Sequence, residues 1–315
     1  MNPSPTPPDG QGTPLPVIGF VGLGAIGGPM CWNLARRYGG ELWAHDVNPA
    51  AWAVLEGTPA RRAASVAELA HVCDIVLLSL PGGPQVEQVC LGTGGLADGP
   101  RRPSLVVDLS TTTVASARAV ASRLAALGVG FADAPVARTR EAARRGELSI
   151  MVGADDSTFA RIEPLLRLLG TDVTHCGGVG CGQVVKLINN ALVFEHTAAL
   201  AEMLVLGERA GVQPATLLEA VSRGSGDSFV LRNHARKAML PREFPTQAFP
   251  PEYALKDIGC VLELAQHTGT RTPLTALARR YYEAAVEHGG AGRYFPVVIE
   301  LVERDIDVAP ERREP

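Results

Sequence analysis

From Val17 onward the chain alternates between short apolar runs and stretches whose apolar residues recur every three or four positions. The short runs, Val17–Val21, Glu41–His45, Asp74–Leu80, Ser104–Leu109, Val129–Ala132 and Leu148–Val152, read as strands. Between them Gly27–Tyr38, Pro84–Cys90, Val114–Leu127 and Asp156–Leu169 read as helices. Repeated strand–helix alternation predicts an α/β fold with a doubly wound, largely parallel sheet. After about His175 the strands stop. Gln183–Ala210 reads as one long helix closed by Gly211, and helices follow over Pro214–Ser222, Ser228–Met239, Glu252–Thr268, Pro273–His288 and Phe295–Glu303.

Length agrees with two halves, since 315 residues give a prior of about two domains. The expected division is a proline-rich, disordered leader over 1–16, a first domain over 17–175, an all-helical domain over 176–308 and a tail over 309–315. With 46% apolar and 20% charged residues the chain is core-forming. A net charge of −4 with no concentrated basic face predicts no nucleic acid and no anionic membrane as partner. Charge interrupts every long apolar run, and the first residues lack the basic start and apolar stretch of a secretory signal. The six cysteines are scattered. The closest pair, Cys176 and Cys181, has no second pair to complete a zinc site, so no metal is expected. Mostly buried free thiols in a reducing cytoplasm are the expectation.

Gly22-Leu23-Gly24-Ala25-Ile26-Gly27 follows the first strand and opens the first helix. In that context Gly22 serves the tight turn, Gly24 lets the backbone approach a pyrophosphate, and Gly27 lets helix and strand pack closely. The helix N-terminus, with Ala25 and Ile26 leading into it, offers N–H groups to phosphate. Asp46 closes the second strand 24 positions after Gly22, where a carboxylate accepts the ribose hydroxyls of NAD and repels the 2′-phosphate of NADP. Val47-Asn48-Pro49 supplies no arginine, so NAD is favoured over NADP. The later strand ends, Ser79-Leu80-Pro81 and Asp108-Leu109-Ser110-Thr111-Thr112, are expected to complete the cofactor site.

A second glycine-dense stretch, Gly177–Gly182, opens the long helix, on which Lys186 and Asn190 stand four apart on one face. Lys186 is flanked by Val184, Val185, Leu187 and Ile188. Desolvation there lowers an ammonium toward neutrality, where it can exchange a proton at working pH.

These residues together resemble the β-hydroxyacid dehydrogenases, in register from Val17 to about Val308. The resemblance is carried by Gly22–Asn33, Ser79-Leu80-Pro81, Asp108–Thr111, Asp133-Ala134-Pro135-Val136, Gly146–Gly153, Gly180–Asn190 and Lys256-Asp257. It implies a Rossmann-type domain followed by an all-helical C-terminal domain of the 6-phosphogluconate dehydrogenase type, assembled as homodimers or homotetramers. It implies Lys186 as general acid/base, Asn190 orienting the substrate oxygen with Asn189 beside it, and Ser110 and Thr111 on the nicotinamide side. Lys256 then approaches cofactor and substrate from the helical domain, and Asp257 holds its helix.

One departure stands out. The family's substrate loop is usually D-A-P-V-S-G-G, whereas this chain has Asp133-Ala134-Pro135-Val136-Ala137-Arg138-Thr139. Arg138 brings a planar fork suited to a carboxylate or sulfonate, as in the sulfolactaldehyde reductase branch. The expected reaction is NAD-dependent interconversion of a small β-hydroxy acid with its semialdehyde or keto form. Ala137, Arg138, Thr139, Ser110 and Asn189 are expected on the substrate. Two alternatives are an imine reductase, against which Lys186 argues, and a catalytically silent NAD-binding sensor, which the altered loop keeps open.

Overall fold

The computed structural model describes residues 14–246 and 248–308. Residues 1–13 of the expected leader and the tail over 309–315 lie outside the described residues. Residues 14–16 are extended, and the Tyr38 hydroxyl donates to the Pro16 carbonyl at 2.6 Å. The chain forms two compact units, Met1–Ser110 with Ala119–His175 and Thr111–Arg118 with Cys176–Pro315.

The first unit is built on β1 (Ile18–Val21), α1 (Gly27–Arg37), β2 (Leu42–His45), β3 (Arg61–Arg62), α2 (Val66–Val72), β4 (Ile75–Leu78), α3 (Gly83–Leu91) and β5 (Leu105–Asp108). It continues with the part of α4 (Val114–Ala125) from Ala119 on, β6 (Gly130–Asp133), β7 (Val136–Ala137), α5 (Arg140–Arg145), β8 (Leu148–Gly153), α6 (Asp156–Leu166) and β9 (Gly170–Gly177), whose last two residues group with the second unit. The sheet order is β3-β2-β1-β4-β5-β6-β8-β7, with β9 against β8. Pairing is parallel from β3 to β6 and antiparallel where β8 meets β6 and β7. Every residue of β1, β4 and β5 is buried, which explains their unbroken apolar runs, since a parallel sheet is covered on both faces. Ile18, Phe20, Leu77 and Val107 pack with Met30 and Leu34 of α1 and Ile162 and Leu166 of α6.

β9 follows directly on the helix predicted to end at Leu169, in a stretch to which the sequence assigns no element. Of its residues, Gly-Thr-Asp-Val-Thr-His-Cys-Gly, only Gly170 is buried; the others are half-buried or exposed. A strand that buries almost nothing has no apolar alternation to read.

The second unit contains α7 (Cys181–Arg209), α8 (Pro214–Ser222), a π-wound segment over Val230–Met239, α9 (Pro251–Thr268), α10 (Pro273–Ala285) and α11 (Ile299–Glu303). Gly211, at φ +91°, ends α7 in the left-handed region that glycine favours. The helix expected through His288 is α-helical to Ala285 and π-wound beyond it, losing helical geometry at His288 and Gly289. Phe194 sits at the core centre, with the rings of Tyr282 and Phe295 edge-on at centroid distances of 5.4 and 5.8 Å.

Thr111–Arg118, which the sequence places in the first domain, groups with the helices. Thr112 N–H donates to Gln183 Oε1 at 3.1 Å, and Arg118 Nε donates to the Val179 carbonyl at 3.2 Å. Val114 packs with Leu187 and Ala191 of α7 and Val261 of α9, a small apolar cluster that fixes those two helices together.

Candidate active site

In the first unit the glycine loop shows three different constraints. A Cβ on Gly22, at φ +98°, would lie 2.2 Å from the Ser79 carbonyl oxygen. A Cβ on Gly27 would lie 2.1 Å from the Gly22 carbonyl oxygen. Gly24 is exposed and has nothing within 4 Å of its Cβ position. Two glycines therefore close the strand–helix corner and the third leaves open space over the backbone. Ala25 is exposed, Ile26 half-buried, and no side chain caps the first turn of α1. Backbone donors beside an open cradle fit a dinucleotide pyrophosphate. The cradle would take the pyrophosphate, and Asp46 the ribose.

Asp46 braces that loop as well as ending β2. Its carboxylate accepts the Leu23 amide at 2.6 Å through one oxygen and the Asn48 amide at 2.7 Å through the other. The remaining lone pairs suit ribose hydroxyls. Leu80 N–H donates to Ser110 Oγ at 2.9 Å, so the loops after β4 and β5 are joined and Ser110 is buried between them. Pro81 follows, exposed.

The substrate-loop residues occupy the far side of the same sheet. Ala137 is buried and pairs with Ser149 across β7 and β8. Thr139 caps α5, its hydroxyl oxygen accepting the Ala142 amide at 3.2 Å. Arg138, expected on the acid group, is engaged within its own unit. Its guanidinium donates to Asp172 Oδ2 at 2.5 Å, Thr171 Oγ1 at 2.9 Å and the Glu147 carbonyl at 2.6 Å. Those bonds direct both terminal nitrogens onto the start of β9 and the residue before β8. Arg138 also has φ +87°, glycine territory, at a position where the family pattern has glycine.

In the second unit α7 and α9 bring five polar side chains together. Lys186 and Asn190 are both buried on one face of α7. Asn190 Nδ2 donates to Asp257 Oδ2 at 2.7 Å, and Asn189 Nδ2 donates to Asn190 Oδ1 at 3.1 Å. Lys256 Nζ lies 3.1 Å from Asp257 Oδ1 and donates to the Thr111 carbonyl at 3.0 Å. Burial lowers the Lys186 ammonium from the ordinary lysine range to about 8; Asp257 opposes the shift and Lys256 adds to it. The cluster holds a proton donor whose affinity sits near neutrality, beside an amide of fixed orientation.

Three details escape the sequence reading. Gln183 anchors Thr112 one helical turn before Lys186, a spacing that could have marked it. Asn33 pins α1 to α5 by donating to the Ala143 and Arg144 carbonyls at 2.8 and 3.2 Å, 110 and 111 residues away. Gly180 is glycine because its φ is +92° and a Cβ would meet Arg118 Nε at 2.7 Å, a packing demand rather than a ligand's approach.

Among the described residues no group of three or more His, Cys, Asp or Glu could hold a metal ion, and no helix is long and apolar enough to cross a membrane. None of the six cysteines, all of them described, is in a disulfide; Cys31, Cys73 and Cys90 are buried, while Cys176, Cys181 and Cys260 are only partly so, against the expectation of mostly buried thiols.

Residues 17–178 match the family model described as the NAD binding domain of 6-phosphogluconate dehydrogenase. Residues 180–302 match that described as NAD-binding of NADP-dependent 3-hydroxyisobutyrate dehydrogenase. The chain is 33% identical over 287 residues to a 2-(hydroxymethyl)glutarate dehydrogenase of Eubacterium barkeri, covering 91% of this chain and 95% of that one. It is 35% identical over 282 residues to a 3-hydroxyisobutyrate dehydrogenase of Pseudomonas aeruginosa, covering 87% and 94%. A Mycobacterium tuberculosis 3-hydroxyisobutyrate dehydrogenase solved with L-serine superposes with a TM-score of 0.82 at 28% identity, covering 91% of this chain and 99% of that one.

Proposed function

Because the chain belongs to the β-hydroxyacid dehydrogenase family, we propose that it interconverts a small β-hydroxy carboxylic acid and its semialdehyde or keto form, with Lys186 as general acid/base. At the coarser level it is an NAD-binding oxidoreductase acting on the CH–OH group of small hydroxy acids. NAD, when bound, supplies the hydride acceptor for oxidation, and its reduced form the donor for the reverse.

The buried Lys186 beside Asn190 carries the proposal. As a neutral amine Lys186 takes the substrate hydroxyl proton during oxidation, and as an ammonium it returns one during reduction. An affinity near 8 keeps both forms accessible close to neutral pH. Asn190 gives one Nδ2 hydrogen to Asp257 and keeps the second for the substrate oxygen, with Asn189 on its carbonyl setting the amide's orientation. Lys256 neutralises Asp257 and ties α9 to Thr111.

Asn189, Ser110, Thr139 and the backbone at Ala137 are assigned to the substrate's acid group. Arg138, a fork that suits a carboxylate or a sulfonate alike, is assigned to the same acid group, reached by exchanging its exposed Asp172 partner for the substrate. Asp46 is assigned to discrimination for NAD, with Leu80, Pro81 and Thr111 completing the cofactor side. Six cysteines outside any disulfide suit a reducing compartment, and we assign the enzyme to the cytoplasm.

The test is a steady-state screen with NAD and NADP over paired carboxylate and sulfonate hydroxy acids. Turnover of a carboxylic β-hydroxy acid, lost in Lys186→Ala by about a hundred- to ten-thousand-fold, is expected. Tight NADH binding without turnover of any member would support the sensor reading instead.

A further inference from the structure

The segment Thr111–Arg118 is held to α7 and α9 by apolar and by polar contacts, and the two kinds act differently. Val114 packs with Leu187 of α7 and Val261 of α9. Thr113 caps the start of α4, its hydroxyl oxygen accepting the Ser116 amide at 3.1 Å. Those contacts fix where the segment lies but leave open how the backbone before the cap is turned.

One peptide group there is bonded at both ends. Thr112 N–H donates to Gln183 Oε1 at 3.1 Å, and the Thr111 carbonyl accepts from Lys256 Nζ at 3.0 Å. The carbonyl of residue 111 and the N–H of residue 112 belong to the same planar trans amide and point opposite ways. α7 therefore grips this amide by its hydrogen and α9 by its oxygen. Gln183 stands third in α7, where a long polar side chain reaches back beyond the helix end. Gln183 and Thr112 are both buried, so water is a poor substitute for the bond between them. Turning the amide over would aim its oxygen at Gln183 Oε1 and its hydrogen at the Lys256 ammonium. Gln183 could answer by presenting its NH2, but an ammonium has no lone pair and cannot reverse its role. Only the observed orientation satisfies both side chains.

Holding the amide fixes ψ of Thr111 and φ of Thr112. It thereby sets the half-buried Thr111 relative to Lys186, which follows Gln183 by about one turn of α7. We propose that Gln183 is a positioning residue of the reaction: with Lys256 it clamps the Thr111–Thr112 amide and so presents Thr111 to the nicotinamide side of the cofactor. The proposal rests on the assignment of Thr111 to the cofactor made above, and not on which group moves the substrate proton. Gln183 acts through Thr111.

NADH binding to the full chain is titrated by fluorescence, with thermal melts as the folding control. Gln183→Met, similar in length and without an acceptor, is expected to weaken NADH binding about ten-fold, the effect of losing one buried hydrogen bond. Gln183→Glu, which keeps an acceptor at the same length, is expected to bind within about two-fold of wild type. A merely structural role would lower the melting temperature and the active fraction, but leave the affinity of the folded remainder unchanged. In turnover, KM for NAD is expected to rise in Gln183→Met while the pH inflection near 8 stays, since one neutral side chain replaces another. Lys256→Met completes a double-mutant cycle. Because either loss frees the same amide, the double variant is expected to bind NADH no more than about two-fold more weakly than Lys256→Met alone. Should Gln183→Met not fold, Gln183→Asn, whose acceptor is one methylene short, takes its place in every arm. Wild-type affinity in Gln183→Met, an equal loss in Gln183→Glu, or additive losses in the double variant would each overturn the proposal. Full turnover in Lys186→Ala would overturn the reaction reading alone, because the clamp is read from binding.

Discussion

A single residue in a glycine's place shows how far local chemistry can be redirected. Arg138 adopts φ +87° and offsets the strain, about 1 kcal/mol, through three hydrogen bonds, one to Glu147 just before β8 and two to Thr171 and Asp172 at the start of β9. Because the Arg138–Asp172 pair is exposed, Arg138→Ala and Asp172→Ala are each expected to lower stability by only about 1 kcal/mol or less. Arg138→Gly is expected to lose less than Arg138→Ala, since glycine accepts the backbone conformation. Thermal melts of the three variants check the order. Asp46 carries two duties. Its removal in Asp46→Ala frees the Leu23 and Asn48 amides, so KM for NAD is expected to rise about ten-fold, alongside a weakened preference over NADP. Initial-rate measurements with both cofactors separate the effects. The position of Asp46 was legible from its distance to the glycine loop. The partner of Arg138 was not, because it lies 34 residues away on a strand with no apolar signature.

At the scale of elements, α9 carries two adjacent, opposite charges that act on Lys186 of α7 in opposite directions. Asp257 raises the proton affinity of Lys186 and Lys256 lowers it. Asp257→Asn is therefore expected to move the Lys186 titration to lower pH, and Lys256→Met to move it to higher pH. A pH–rate series on both variants tests the opposed signs; shifts in the same direction would remove α9 from the tuning of Lys186. The helices were readable from periodicity because each buries one face. The sheet's β1, β4 and β5 were readable as apolar runs because both faces are covered. The short β3 and β7, the α2 and α5 turns of helix, and β9 were not, since two-residue strands and a strand with a single buried residue leave too little pattern. Thr111–Arg118 continues directly from β5, yet its contacts group it with the helices. Its attachment rests on Gln183 and Val179, more than 60 residues later.

For the whole molecule, the buried ammonium of Lys186 is a stability liability. Lys186 has a folded-state affinity depressed to about 8 from 10.5. Between those values the unfolded chain binds more protons, so this group's contribution rises with pH across that window and its penalty is complete below about 8. The penalty at pH 7 is about 3 kcal/mol. Lys186→Met is accordingly expected to melt higher than wild type at pH 7, by a margin that shrinks toward pH 10.5; an equal margin at both would contradict the linkage. The central claim is that this same lysine moves the substrate proton. Its most direct test is the pH dependence of kcat/KM in both directions, once a substrate has been identified by the screen. Oxidation is expected to rise through about pH 8 as the amine loses its proton, and reduction to fall through the same value. Lys186→Ala is expected to abolish both inflections along with most of the rate. Profiles that keep the inflection near 8 in Lys186→Ala, at near wild-type rates, would contradict the account.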